Sequence, residues 1–227
     1  MPTQAPLVER LARVDAGIAE AARAAGRSHD EIVRIVVTKF HPVSLVRELA
    51  ALGVRDLGEN RHQEARIKAT ETADLGLAWH FVGQLQSNKA RAVRRYAHAV
   101  HSVDRDGLVD ALGSSDDTIV DVFLEIDLSG EPGRGGIDPA DAERLAERVL
   151  VTRGLRLVGV MGVAPLGEEP RPAFARLREV SERIRSLAPE ARSISAGMSG
   201  DYREAIAEGA THLRIGTAIT GKRPERG

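Results

Sequence analysis

Short β-branched or apolar runs alternate with helix-patterned segments eight times along this chain, without a composition break or a linker between them. A repeated strand-then-helix pattern drives a chain into a parallel sheet covered by helices. At 227 residues there is room for one such core and little more, because a closed eight-fold barrel typically takes about 250 residues. The predicted strands are residues 32–39, 54–60, 78–83, 97–103, 118–128, 155–162, 192–197 and 211–215. Ahead of them, Leu7, Leu11, Val14 and Ile18 are spaced four, three and four apart, one face of a helix closed by Gly26. The expectation is an α/β fold, a single (β/α)8 TIM-type barrel over residues 1–227 with an extra N-terminal helix. A doubly wound open sheet is the alternative.

Composition removes several function classes. Lys and Arg number 32 against 33 Asp and Glu, a formal charge of −1, which argues against a nucleic-acid footprint. The chain has no cysteine, so thiolate metal sites, disulfides and a cysteine nucleophile are excluded. No run approaches the roughly 18 apolar residues of a membrane span, and Met1-Pro2-Thr3-Gln4-Ala5-Pro6 lacks the basic start and apolar core of a signal peptide. A cytoplasmic protein without a membrane partner is expected. A closed barrel needs no partner to complete its core, which favours a monomer.

Within this frame Ile32-Val33-Arg34-Ile35-Val36-Val37-Thr38-Lys39 reads as a buried strand carrying a lysine at its carboxyl end. Parallel α/β folds place their chemistry there. Partial desolvation at such a place would favour the neutral amine that attacks a carbonyl to form a Schiff base. The alternative is a strand-end lysine reaching into solvent. The exits of strands seven and eight, where barrels commonly bind phosphate, read Gly197-Met198-Ser199-Gly200-Asp201 and Arg214-Ile215-Gly216-Thr217. Glycines there let backbone approach a ligand, and Ser199 and Thr217 carry hydroxyl donors. Asp201 would repel a phosphate unless it faces away. Each corner alone could be an ordinary strand-to-helix turn; the two together with Lys39 favour an anion site.

Other stretches read more plainly. Residues 130–136 are glycine-dense but lack the P-loop and dinucleotide spacings, so they are expected to form a mobile loop with Arg134 as an anion contact. His98 and His101, three apart on a strand, should face opposite ways, which disfavours a metal pair. Arg91, Arg94 and Arg95 read as a solvated helix face, and His80, between Trp79 and Phe81, as a core histidine.

Taken together, Val36-Val37-Thr38-Lys39, Leu57-Gly58-Glu59-Asn60, Trp79-His80-Phe81-Val82-Gly83-Gln84-Leu85-Gln86-Ser87-Asn88-Lys89, Ser195-Ala196-Gly197-Met198-Ser199 and Arg214-Ile215-Gly216-Thr217-Ala218-Ile219 resemble the pyridoxal-phosphate homeostasis protein family. That family looks like the barrel domain of alanine racemase standing alone, and the resemblance runs over residues 7–221. It implies pyridoxal 5'-phosphate held as a Schiff base on Lys39. It also implies Arg214 facing the pyridine nitrogen and keeping it largely unprotonated, Ser199, Gly216 and Thr217 on the phosphate, and Asn60, His80 and Met198 lining the ring. Thr38, Phe40-His41, Arg134 and Thr220 depart from the family pattern and affect the detailed shape of the mouth.

The role implied is non-catalytic: storing, buffering and delivering the cofactor to apo-enzymes that use it. A pyridoxal-phosphate-dependent amino-acid racemase of low activity is the alternative. It needs two acid/base groups about the cofactor, and Tyr96 and Tyr202 are the only tyrosines, with Tyr202 the nearer candidate. A Schiff-base aldolase on a sugar phosphate is a third reading, with Glu59 as its acid/base group.

Overall fold

The computed structural model describes residues 5–130 and 135–222. Eight strands form: β1 (Val33–Val37), β2 (Asp56–Glu59), β3 (Ala78–Phe81), β4 (Ala97–Val103), β5 (Val120–Glu125), β6 (Leu155–Met161), β7 (Ser193–Ser195) and β8 (His212–Ile215). All neighbours run parallel, in sequence order, and the sheet closes on itself. The closing pair is β1 with β8, where Val36 stands opposite Ile215. Closure decides for the barrel over the open sheet.

The strands alternate with α1 (Leu7–Ala24), α2 (Val43–Ala51), α3 (His62–Glu71), α4 (Ala90–Arg94), α5 (Asp106–Leu112), α6 (Ala142–Leu150), α7 (Pro170–Leu187), α8 (Tyr202–Ala207) and α9 (Thr217–Thr220). The extra helix α1 buries Leu7, Leu11, Val14 and Ile18, the stripe its spacing predicts. It lies on α8 and α9, and Arg10 Nε donates to the Ile219 carbonyl at 2.6 Å. No helix among the described residues is long and apolar enough to cross a membrane.

Two unequal interiors result. The larger one lies between strands and helices and takes most of the buried apolar side chains, Val36, Leu49, Leu124, Leu177 and Leu213 among them. Each such side chain contributes roughly 1.5–3 kcal/mol on burial. The second, inside the barrel, has a small apolar cluster of Ala99, Phe123 and Met161, with Ile35 and Val37 of β1 buried on the same side of the sheet. Much of what remains buried is polar: His80, His101, Ser195 and Arg214 are all 6% exposed or less. Buried polar groups must be hydrogen-bonded to one another, so this lumen is a network rather than a plug of Val and Leu.

Local readings needed correction. The β1 strand stops at Val37, and Lys39 follows in a turn closed by the His41 N–H on the Thr38 carbonyl at 3.0 Å. Arg94 is not on a solvated face: it is 6% exposed and donates to the Leu112 and Gly154 carbonyls at 3.1 and 2.8 Å and to Asp116 at 2.7 Å. The expectation that His98 and His101 face opposite ways is also corrected: with a register shift between Trp79 and His80, both rings lie beside that of His80, at 5.7 and 5.2 Å, His98 exposed and His101 fully buried. Arg134 and most of the glycine-dense loop lie outside the described residues.

Candidate functional site

In a parallel barrel every strand ends at the same mouth. Lys39 follows β1, Asn60 follows β2, Met198 and Ser199 follow β7, and Gly216 and Thr217 follow β8. Because β1 pairs with β8, the exits carrying Lys39 and Gly216 are neighbours.

The Lys39 turn is held from below and from the side. Lys68 of α3, only 4% exposed, donates from Nζ to the Thr38 carbonyl at 2.7 Å and also to Glu59 Oε1. Thr38 Oγ1 donates to the same carboxylate oxygen at 2.8 Å, and the Phe40 N–H donates to Glu64 Oε2 at 2.9 Å. Phe40 has φ of 69°, a left-handed conformation that a non-glycine residue adopts at a cost of about 1–2 kcal/mol. The expectation that the strand would desolvate the lysine is corrected: Lys39 is exposed. Its backbone is fixed while its side chain is exposed at the exit of β1.

The two glycine corners are joined, with the Ala218 N–H donating to Ser199 Oγ at 3.3 Å. Asp201 turns back to accept the Met198 N–H at 2.6 Å. The glycines differ in kind. Gly197 has φ of 90°, and a Cβ there would lie 2.8 Å from Ala205 Cβ, so packing and backbone both demand glycine. At Gly216 a Cβ would come no nearer than 3.7 Å, to the Val37 carbonyl, and at Gly200 it would meet nothing within 4 Å. Space is open over these two positions. Met198 is 39% exposed beside them.

Arg214 occupies the lumen just below the mouth, 6% exposed. It donates to Ser195 Oγ at 2.7 Å and to the Gly162 carbonyl at 3.0 Å. Burial lowers its pKa to about 10, against the pull of Glu125 and Asp201, so the guanidinium is charged at neutral pH. His80 is buried in the lumen, as its place between Trp79 and Phe81 suggests: its Nε2 faces Asp56 Oδ1 and its Nδ1 faces His101 Nε2, both at 3.0 Å.

Two groups at this end escaped the sequence reading. Glu125, the last residue of β5, borders a cavity of about 220 Å³ with Asp127, Ser129, Gly135 and Val163. Burial first, then Asp104 and Asp127, raise its pKa to about 7, with Arg214 opposing. Lys68 is the other, hidden in a helix that reads as merely charged. Among the described residues, Asn60 Oδ1 and one oxygen each of Glu59 and Glu125 are buried without a hydrogen-bond partner; such acceptors cost about 1–3 kcal/mol each unless a donor arrives. Both tyrosines face outward. Tyr202 packs against α1 at Gly17, and Tyr96 stacks on His62, its hydroxyl 3.3 Å from Nδ1.

Comparison with known proteins agrees with this architecture. Residues 11–224 match the family model for the alanine racemase N-terminal domain. The pyridoxal phosphate homeostasis protein of Pseudomonas aeruginosa is 43% identical over 96% of both chains. Among solved structures, PipY of Synechococcus elongatus with pyridoxal phosphate bound superposes with a TM-score of 0.84 at 34% identity, over 95% of this chain and 100% of its own. Alanine racemase of Corynebacterium glutamicum shares the fold, with a TM-score of 0.69 at 16% identity, over 94% of this chain and 62% of its own. The chain belongs to the pyridoxal phosphate homeostasis protein family.

Proposed function

We propose that this chain binds pyridoxal 5'-phosphate through Lys39 at the mouth of its barrel and acts in cytoplasmic homeostasis of that cofactor, as a monomer that holds it and hands it on without turning over a substrate. The observation that carries the reading is the β1–β8 pairing, which makes Lys39 and the open Gly216 corner neighbours. When bound, the cofactor supplies an aldehyde that condenses with a lysine amine, releasing water, and a phosphate that seeks N–H and O–H donors.

The residues present fit that group. Lys39 offers the amine on a fixed turn. Ser199, Gly216 and Thr217 frame an open corner, and the Asp201 carboxylate is engaged by the Met198 N–H at 2.6 Å. Asn60, with its unpartnered Oδ1, and Met198 stand at the same mouth. Arg214 presents N–H groups only, so it favours an unprotonated ring nitrogen and weakens the electron sink that many pyridoxal-phosphate enzymes use. The names of the relatives and the cofactor in PipY support the reading. The outward tyrosines support a binder over a racemase. An exposed Lys39 also leaves the amine open to exchange with a lysine of an apo-enzyme, so transfer requires no opening of the barrel.

Titration of the purified protein with pyridoxal phosphate tests this. A saturable visible band in the wild type, absent in Lys39→Ala, with no α-proton exchange of added amino acids in D2O, is the expected result. An unchanged band in Lys39→Ala, or exchange at turnover rates, overturns it.

A further inference from the structure

The lumen carries a continuous line of side chains from Arg214 to the opposite end of the barrel. Arg214 donates to Ser195 Oγ at 2.7 Å. Ser195 Oγ lies 2.8 Å from His101 Nδ1, His101 Nε2 lies 3.0 Å from His80 Nδ1, and His80 Nε2 lies 3.0 Å from Asp56 Oδ1. Ser195 and His101 are fully buried and His80 is 3% exposed, whereas the Asp56 side chain is 34% exposed. The line crosses four strands, β8, β7, β4 and β3, and ends on β2.

We propose that Ser195, His101, His80 and Asp56 are positioning residues that hold the Arg214 guanidinium in place through a one-way hydrogen-bond chain. The proposal rests on Arg214 facing the cofactor ring, as argued above. The two ends set the direction: a guanidinium only donates and a carboxylate only accepts. Between them, a hydroxyl and two imidazoles that each carry one ring proton pass a single donor along. Ser195 O–H donates to His101 Nδ1, His101 Nε2–H to His80 Nδ1, and His80 Nε2–H to Asp56. Complete burial holds the His101 pKa well below the usual imidazole value, in keeping with one proton on that ring.

The chain has two physical consequences. An arginine alone in a lumen loses rotamer freedom when ordered; two fixed acceptors, Ser195 Oγ and the Gly162 carbonyl, define the plane of its fork. The orientation of Ser195 is then not free. Because its proton is committed to His101, its lone pairs face Arg214. Removing His101 lets the hydroxyl rotate, and the arginine loses a fixed acceptor without itself being touched. His101 also stacks on Phe123 with centroids 4.2 Å apart, which fixes the ring that reads the hydroxyl.

The test uses wild type, Ser195→Ala, His101→Leu and His101→Gln, with affinity for pyridoxal phosphate and the absorption maximum of the bound form as readouts and thermal stability as control. Glutamine offers an acceptor and a donor on one amide and so preserves the direction of the chain. Ser195→Ala and His101→Leu are expected to bind about tenfold more weakly or worse, with a shifted band, and His101→Gln to recover most of both. Binding and spectra that equal wild type in Ser195→Ala and His101→Leu overturn the chain. Loss in all three variants in proportion to melting temperature reduces it to structural packing and also overturns it. Failure of the wild type to bind at all would instead remove the cofactor reading, so the two failures are separate.

Discussion

Lys68 Nζ donates to the carbonyl of Thr38 at 2.7 Å, one residue before Lys39. The amine and its partner Glu59 are 4% and 0% exposed. Burial raises the Glu59 pKa while the Lys68 charge and the hydrogen bonds oppose it. Removing one member of such a pair strands the other charge and costs about 3–5 kcal/mol. Lys68→Met is therefore expected to lose about 3 kcal/mol or more in urea unfolding, and Lys68→Met with Glu59→Gln to regain at least half. Equal losses in single and double variants would show that the pair is not coupled.

The glycines at the β7 and β8 exits should respond oppositely to the same change. Gly216→Ala adds a methyl group in ordinary contact range, so stability should stay within about 0.5 kcal/mol, while cofactor affinity falls because the methyl group occupies the open corner. Gly197→Ala places alanine at φ of 90° against Ala205 and Tyr202 and should cost about 2 kcal/mol or more. Denaturation curves and cofactor titrations on the two variants check the contrast.

What was legible in the sequence follows from what repeats locally. The strands announce themselves by β-branched runs such as 32–37, α1 by its apolar stripe, and the order of elements by simple alternation. Lys39 and the Gly216 corner stood out as candidates because barrel chemistry sits at strand ends, and the β1–β8 pairing sets their exits side by side. The lumen network was not legible, because His80, His101, Ser195 and Arg214 are 21, 94 and 19 positions apart along its links, and only closure and register bring them together. The outward turn of Tyr202 was hidden for a similar reason: at the first position of α8 a small rotation decides between mouth and α1. Lys68 carries no apolar signal at all.

Acid titration should expose His212. Burial first, with His80 adding and Asp56 and Asp121 opposing, lowers its pKa from 6.5 to about 4. The unfolded chain then binds more protons between those values, so this residue makes stability fall as pH drops through that window, by up to about 1.4 kcal/mol per pH unit. His212→Asn should lose that slope between pH 6.5 and 4 relative to wild type. Parallel stability profiles would contradict the assignment.

Glu125 works in the opposite sense. With a folded-state pKa of about 7 against 4.5, it stabilises fully below pH 4.5, and that contribution is lost as pH rises through 7. Glu125→Gln stays neutral throughout. Its stability advantage over wild type should grow from pH 4.5 to 7, again by up to about 1.4 kcal/mol per unit, and level off above. An advantage independent of pH would show that the carboxyl is already ionised in acid.

The central claim is that Lys39 is the residue that carries the cofactor. Borohydride reduction of protein loaded with pyridoxal phosphate, followed by peptide mass mapping, reads it directly. A phosphopyridoxyl adduct on the peptide containing Lys39, absent from Lys68 and from Lys39→Ala protein, is the predicted result. An adduct confined to another lysine, or none from protein that demonstrably binds the cofactor, would contradict it.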